Sequence, residues 1–331
     1  MPLITRLAAL FFILAAGAVI GHWAFPNEGA PAVIQKIHPV GSEYQLINPL
    51  LGVEVSSSEN SAGYQSMEKK LSSLIDKKIK DQEAEVIAVY FRDLEPVRWM
   101  GINENLGFDP GSLLKVPVMI AYLKMAESDQ GILTRKVYYS NQRHTEIYDN
   151  SGPSVFKTLK SDRFYTTKEL IRAMIVESDN SAKDILIDEM PKKPLVDIFA
   201  ELGIPFPETA GYTISAKTYS TFFRILYNST FLSREMSEVA MKLLSEASFK
   251  DGIAAGIPAG IPVAHKFGQH GAYIDGQLTG LELHDCGIIY QSARNYLLCV
   301  MTKGNNFETL KGVIRDVSQL TYNLFNENLG K

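Results

Sequence analysis

Ser112 and Lys115 stand three residues apart in Pro110-Gly111-Ser112-Leu113-Leu114-Lys115-Val116-Pro117, and this pair is the part of the chain best suited to covalent chemistry. A serine hydroxyl is a weak nucleophile until a neighbouring base takes its proton, and a partly desolvated lysine amine can be that base. Residues at i and i+3 of a helix share a face. Pro110 at a first helical position, followed by Leu113, Leu114, Val118, Met119, Tyr122 and Leu123, predicts a helix with Ser112 near its positive end. That end favours developing negative charge. Taken alone, the spacing fits a capping serine followed by a solvated lysine equally well. Two groups further along bear on the choice: Ser178-Asp179-Asn180, after an amphipathic segment at 166–177, and Lys266-Phe267-Gly268, at the end of an extended segment at 262–267.

In this order and at these separations the three groups resemble those of the serine β-lactamases and penicillin-binding proteins, whose set is S-x-x-K, S-D-N and K-T-G. Two match in full and the third in part. The resemblance runs from about residue 64 to the C-terminus, with the class A β-lactamases as the nearest branch. It implies that Ser112 attacks the carbonyl of a β-lactam or peptide amide and that Lys115 accepts its proton. Ser178 passes that proton toward the leaving nitrogen while bonded to Lys266, and Asn180 holds a substrate amide. The resemblance also implies an oxyanion hole made by the backbone N–H groups of Ser112 and Gln269, with Gly268 letting the backbone approach the ligand. Asp179 reads as a cap for a helix starting near Ser181.

Two departures from the family pattern stand out. Phe267 replaces the threonine whose hydroxyl helps bind the substrate carboxylate, placing an aromatic wall where a donor is expected; His270 is an alternative polar contact, or a loop residue after the strand. The glutamate that activates the deacylating water has no match either. The interval 202–212 is short, and Glu208 is its only acid; we read it as a solvated loop residue, with a reinvented base as the alternative. His265 and His270 lack partners at metal-ligand spacing, so no metal and no cofactor are expected.

The elements that must position these residues can be read from periodicity. Met67, Leu71, Leu74 and Ile75 predict a helix over 66–80, followed by strands at 85–91 and 97–102. Residues 112 to about 250 read as helices and loops, with Pro117 bending the nucleophile helix. Three strands, around Val263, Leu283 and Leu297, precede a final helix at 307–325. The fold expected is α/β, in the α+β two-lobed sense: an antiparallel sheet flanked by the N- and C-terminal helices, with an inserted all-helical lobe and the site between the lobes. The sheet lobe takes 63–105 and 262–331, the helical lobe 106–261, together a hydrolase domain over 63–331.

Of the 331 residues, 46% are hydrophobic and 21% charged, enough apolar content for a large core; the net charge of −4 excludes a general attraction to nucleic acid. Residues 7–25 carry no charged side chain other than His22. We read residues 1–25 as an uncleaved membrane anchor with Trp23 at the interface, or a cleaved signal, and 26–62 as a linker whose apolar patch at 44–51 docks on the domain. The protein is then exported, and anchored to the cytoplasmic membrane or secreted. Cys286 and Cys299 fall on two β-rich runs that a turn at 291–295 folds into a hairpin; they read as small core residues, with a disulfide as the alternative. The expected function is class A β-lactamase-like hydrolysis of β-lactams or related amides through an acyl-enzyme. The alternatives are a penicillin-binding-protein-like peptidase on peptidoglycan stem peptides, with slow deacylation, and a catalytically silent cell-wall-binding or sensor module. The sequence does not determine the oligomeric state.

Overall fold

The N-terminal helix α1 (Gln65–Lys80) buries Met67, Leu71 and Ile75 along one stripe, with Lys78 carrying its amine out to Glu83 and Asp316, both at 2.7 Å. This stripe packs on one face of a five-stranded antiparallel sheet in which β1 (Val86–Leu94), β2 (Val97–Ile102), β7 (Val263–Ile274), β8 (Gln277–Ile289) and β9 (Tyr296–Gly304) run in the order β2-β1-β9-β8-β7. The computed structural model describes residues 45–48, 64–95, 97–140, 158–208, 211–274, 277–292 and 294–329. Residues 1–44 and 49–63 lie outside them, and with them the expected anchor at 7–25 and nearly all of the expected linker. No helix among the described residues is long and apolar enough to cross a membrane.

Between β2 and β7 the chain is mostly helical. The short strand β3 (Gly107–Phe108) leads to a 3-10 turn at Gly111–Leu114 and then to α2 (Lys115–Ser128), α3 (Gly131–Thr134), β4 (Lys136–Tyr139) and β5 (Arg163–Thr166). There follow α4 (Thr167–Val176), α5 (Asn180–Glu189), α6 (Lys192–Glu201), β6 (Ile214–Ser215), α7 (Ala216–Tyr227), α8 (Arg234–Ser245) and a second 3-10 turn at Ile253–Gly256. The last helix, α9 (Phe307–Leu329), returns to cover the sheet beside α1.

Two cores result, one on each face of the sheet. Leu71, Phe91, Val300, Val313 and Phe325 fill the space against α1 and α9, and Ala88, Ala264, Cys286 and Met301 face the helical region, which is centred on α2. Helix α2 is buried on nearly every side from Lys115 to Leu123, as a helix surrounded by others must be. Successive residues of a strand point to opposite faces, and this sends Lys266 toward the helices while Val263 and Phe267 join the opposite core.

Ser112 lies in the 3-10 turn that leads directly into α2, near its positive end as expected. Two expectations are corrected. Pro117 is only the third residue of α2, where its missing N–H falls among the donors that have no intrahelical partner, so proline is accommodated in the first turn. Cys286 and Cys299 are direct cross-strand partners on β8 and β9 and form a disulfide; the reading as separate core thiols missed that the hairpin register sets them opposite each other. The described part of the apolar patch, Gln45 to Asn48, does dock. Ile47 is buried, Glu238 accepts from the N–H groups of Gln45 and Leu46 at 3.0 and 2.9 Å, and Tyr290 donates its hydroxyl to the Leu46 carbonyl at 2.7 Å.

Candidate active site

The site forms where the start of α2, the junction of α4 and α5, and the edge strand β7 meet. Thr166 opens α4 with a reciprocal capping box to Glu169, and α4 ends at Val176. Ser178 then adopts the left-handed conformation, with φ 55°, a strained choice for a residue with a Cβ. Asp179 follows as the N-cap of α5, accepting from the Ala182 N–H at 2.9 Å. Its second oxygen accepts from the Thr158 N–H, from the Thr158 hydroxyl at 3.0 Å and from the Leu159 N–H at 3.2 Å. The capping role expected for Asp179 is therefore what its contacts show, one residue earlier than Ser181. This held turn aims Ser178 and Asn180 at Lys115.

The Lys115 amine, 1% exposed, has four oxygens in reach: Ser178 O and Asn180 Oδ1 at 2.6 Å each, Ser112 Oγ at 2.9 Å and Ser178 Oγ at 3.1 Å. Two of these are carbonyl oxygens, which can only accept; the other two are hydroxyls, which can also donate. From the far side Lys266, fully buried, donates to Ser178 Oγ at 2.9 Å and to the Phe267 carbonyl at 2.8 Å. Burial and, after it, the charge on Lys115 hold the Lys266 amine well below the ordinary lysine range. Ser178 Oγ thus bridges two buried amines, and Ser112, Lys115, Ser178, Asn180 and Lys266 form one connected network.

Gly111 and Gly268 let the nucleophile turn lie directly on β7. A Cβ on Gly268 would come within 2.6 Å of the Pro110 carbonyl oxygen and 2.7 Å of Leu113 Cγ, and Gly111 sits at φ 48° against the Gln269 backbone. Gly268 thus makes room for the turn that carries Ser112. The same contact brings Ser112 and Gln269 to one cavity of about 240 Å³, which Asn180, Lys183, His270 and Asp109 also line. His270 lies within β7 rather than in a loop after it, with Nδ1 3.5 Å from Asp109 Oδ1. Phe267 does not wall this cavity. It is buried in the opposite core and stacks on Phe249 at 4.2 Å, because alternation along β7 turns it away from Ser112. Glu208 is exposed and does not line the cavity.

Sequence reasoning missed the clamp on Asp109. Glu282 accepts from the Asp109 N–H at 2.8 Å, and the buried His284 ring meets the Asp109 carbonyl at 2.9 Å, so both backbone groups just before the nucleophile turn are held by β8. The Tyr219 hydroxyl donates to the Leu113 carbonyl at 3.0 Å from α7. These partners lie 106 to 175 residues away in sequence, and no local pattern announces them. His265, also buried, has Nδ1 2.8 Å from Asp285 Oδ1. Among the described residues no group of three or more His, Cys, Asp or Glu side chains is placed to hold a metal.

The model of the beta-lactamase enzyme family matches residues 67–325. No curated protein matches the chain. Solved structures match in fold at low identity. PBP-A is 20% identical with a TM-score of 0.63, over 78% of this chain and 96% of that one. A point mutant of PBP-A, solved as an acyl-enzyme complex with penicillin G, gives 20% identity and 0.64, over 79% and 97%. A class A beta-lactamase from Mycobacterium abscessus gives 21% and 0.63, over 78% and 98%.

Proposed function

Because the chain belongs to the beta-lactamase enzyme family and is a serine hydrolase of the β-lactamase type, we propose that it works through an acyl-enzyme on Ser112, formed from β-lactams or related amides. The observation that carries this reading is the set of four oxygens around Lys115. A neutral amine has two N–H donors and one lone pair. Ser178 O and Asn180 Oδ1 can only accept and take both donors, which leaves the lone pair toward the hydroxyls of Ser112 and Ser178. That is the arrangement a base needs when Lys115 is in its neutral form.

Acylation then runs as a balanced transfer. Ser112 Oγ forms a bond to the substrate carbonyl carbon as its proton passes to Lys115 Nζ. The carbonyl oxygen becomes an oxyanion, held by the backbone N–H groups of Ser112 and Gln269, whose residues share one wall of the cavity. As the C–N bond breaks, Ser178 Oγ gives its proton to the leaving nitrogen and regains one from Lys115, 3.1 Å away. Asn180, which also lines the cavity, is placed to bond a substrate amide.

A second reading concerns the fate of the acyl group. Among the described residues Asp109 is the one carboxylate in the cavity lining, and its Oδ1 already accepts from the Gly111 N–H at 2.9 Å. Glu208 points to solvent. This favours slow deacylation, as expected of a penicillin-binding-protein-like peptidase acting on peptidoglycan stem peptides. The apolar segment at 7–25 supports an exported, membrane-anchored or secreted enzyme. Intact-mass spectrometry after mixing with benzylpenicillin tests the proposal: wild type gains one acyl adduct, Ser112→Ala gains none, and persistence of the adduct for hours identifies the slow-release reading. An equal adduct on Ser112→Ala refutes the assignment, and the absence of any adduct on wild type returns the protein to a silent binding module.

A further inference from the structure

We propose that Lys183 selects acyl donors that carry a carboxylate on their acyl side, just beyond the amide that Asn180 holds. The inference rests on the acyl-enzyme reading above and specifies its substrate. In that reading the leaving nitrogen departs at Ser178 Oγ, which is fully buried between Lys115 and Lys266. Ser112 lines the cavity of about 240 Å³, whereas neither Ser178 nor Lys266 is among the described residues of its lining. The cavity therefore receives the part of the substrate that stays on Ser112, and its side chains select the acyl group.

Lys183 enters that cavity because of its place on α5. It follows Asn180 by three residues, and residues at that spacing share a helix face, about 4.5 Å apart along the axis. Both line the cavity. The Lys183 N–H donates to the carbonyl of Asp179 at 3.3 Å, so the capped turn that aims Asn180 at Lys115 also carries Lys183. The Lys183 side chain is 26% exposed, partly sunk into the wall, where a charge is screened less than on an open surface. Asp184 Oδ1 engages its amine at 3.1 Å, but consecutive helix residues do not face each other, and Asp184 is not among the described lining residues. A lysine carries three N–H groups, of which this pairing takes one. Within the cavity, Lys115 serves as a neutral base, and Asp109 is turned to the Gly111 N–H at 2.9 Å and to His270 Nδ1 at 3.5 Å. Lys183 is thus the cation on the α5 wall, and a carboxylate next to the amide at Asn180 gains a charge-assisted hydrogen bond from it.

The test compares benzylpenicillin with carbenicillin, which differs from it only by a carboxylate on the acyl side chain, by the rate at which each adds to Ser112 in intact-mass time courses. The leaving side is the same in both. The expected result is a carbenicillin-to-benzylpenicillin rate ratio that falls about tenfold in Lys183→Met, the loss of one charge-assisted bond. Reading a ratio cancels any general loss of activity in the variant. Raising NaCl from about 0.05 M to about 1 M should lower the wild-type ratio as well, because salt screens a partly exposed pair; this arm needs no variant to fold. A ratio that Lys183→Met leaves unchanged, or a wild-type ratio that salt does not move, overturns this inference alone. No adduct from either donor overturns the acyl-enzyme reading and this inference together.

Discussion

Lys266→Met should make the protein more stable at neutral pH while removing its acylation activity. The side chain is completely buried and its amine is held well below the ordinary lysine value near 10.5 by burial and by Lys115. In the unfolded chain the amine recovers its ordinary affinity for protons. Below the folded-state pKa the native state therefore carries the whole penalty, about 1.4 kcal/mol per unit of depression. Above it the penalty shrinks with each pH unit and vanishes near 10.5, where the unfolded amine also loses its proton. Methionine fills similar volume without charge. Against this, the variant loses two hydrogen bonds, to Ser178 Oγ and the Phe267 carbonyl, at about 1 kcal/mol each, although Ser178 Oγ keeps Lys115 as a partner. The net expectation is a gain in stability at pH 7, read as a higher Tm than wild type. That gain should fall as pH rises from 7 to 10.5, and benzylpenicillin acylation should drop about 100-fold or more. Paired denaturant melts of the two proteins at pH 7 and pH 10 read the difference directly. A variant less stable at pH 7 than wild type, or a difference that does not change with pH, refutes the reasoning that a buried amine is kept here at a cost in stability.

Two further expectations concern parts that hold the site in place. His284→Ala deprives the Asp109 carbonyl of its partner and should lower stability by about 1–3 kcal/mol and the acylation rate about tenfold, with the noncovalent affinity for substrate unchanged; single-turnover kinetics separate the two constants, and an unchanged acylation rate removes the clamp from the list of positioning contacts. Replacing Cys286 and Cys299 together by alanine opens a link between residues 13 apart and should cost about 2–3 kcal/mol of unfolding free energy, leaving acylation within twofold of wild type; a loss of activity in the folded double variant would show that the link shapes β7 as well as bracing the sheet.

The two buried amines show what such a site requires of a fold. Lys115 and Lys266 both lie about 3 Å from one hydroxyl, a crowding of like groups that water would disperse. It persists because the elements that carry them are fixed independently. Lys115 is set by a central helix buried on nearly every side, and Lys266 by the strand pairing of β7 with β8. Ser178, between them, is held in a left-handed turn by the Asp179 cap. The rigid surroundings supply what the site itself opposes.

Much of this was legible in the residues alone. Helix α1 and the strands β1 and β2 follow from apolar spacing over short windows. Ser112, Lys115, Ser178, Asn180 and Lys266 were identifiable because each sits in a short motif whose order along the chain resembles that of the serine β-lactamases and penicillin-binding proteins. Asp179 as a cap is likewise a local property, since a cap bonds within three residues of itself. What only the tertiary structure decided depends on long-range register. The alternation of β7 turned Phe267 away from Ser112 and into the opposite core; strand pairing set Cys286 opposite Cys299; and Glu282 and His284 became the clamp on Asp109 because β8 passes beneath the nucleophile turn. Sequence thus named the residues that can do chemistry, through interactions spanning a few positions. Which groups are buried, which donors are used up and which direction remains open to substrate are set by contacts between segments far apart in the chain, where no local pattern carries the information.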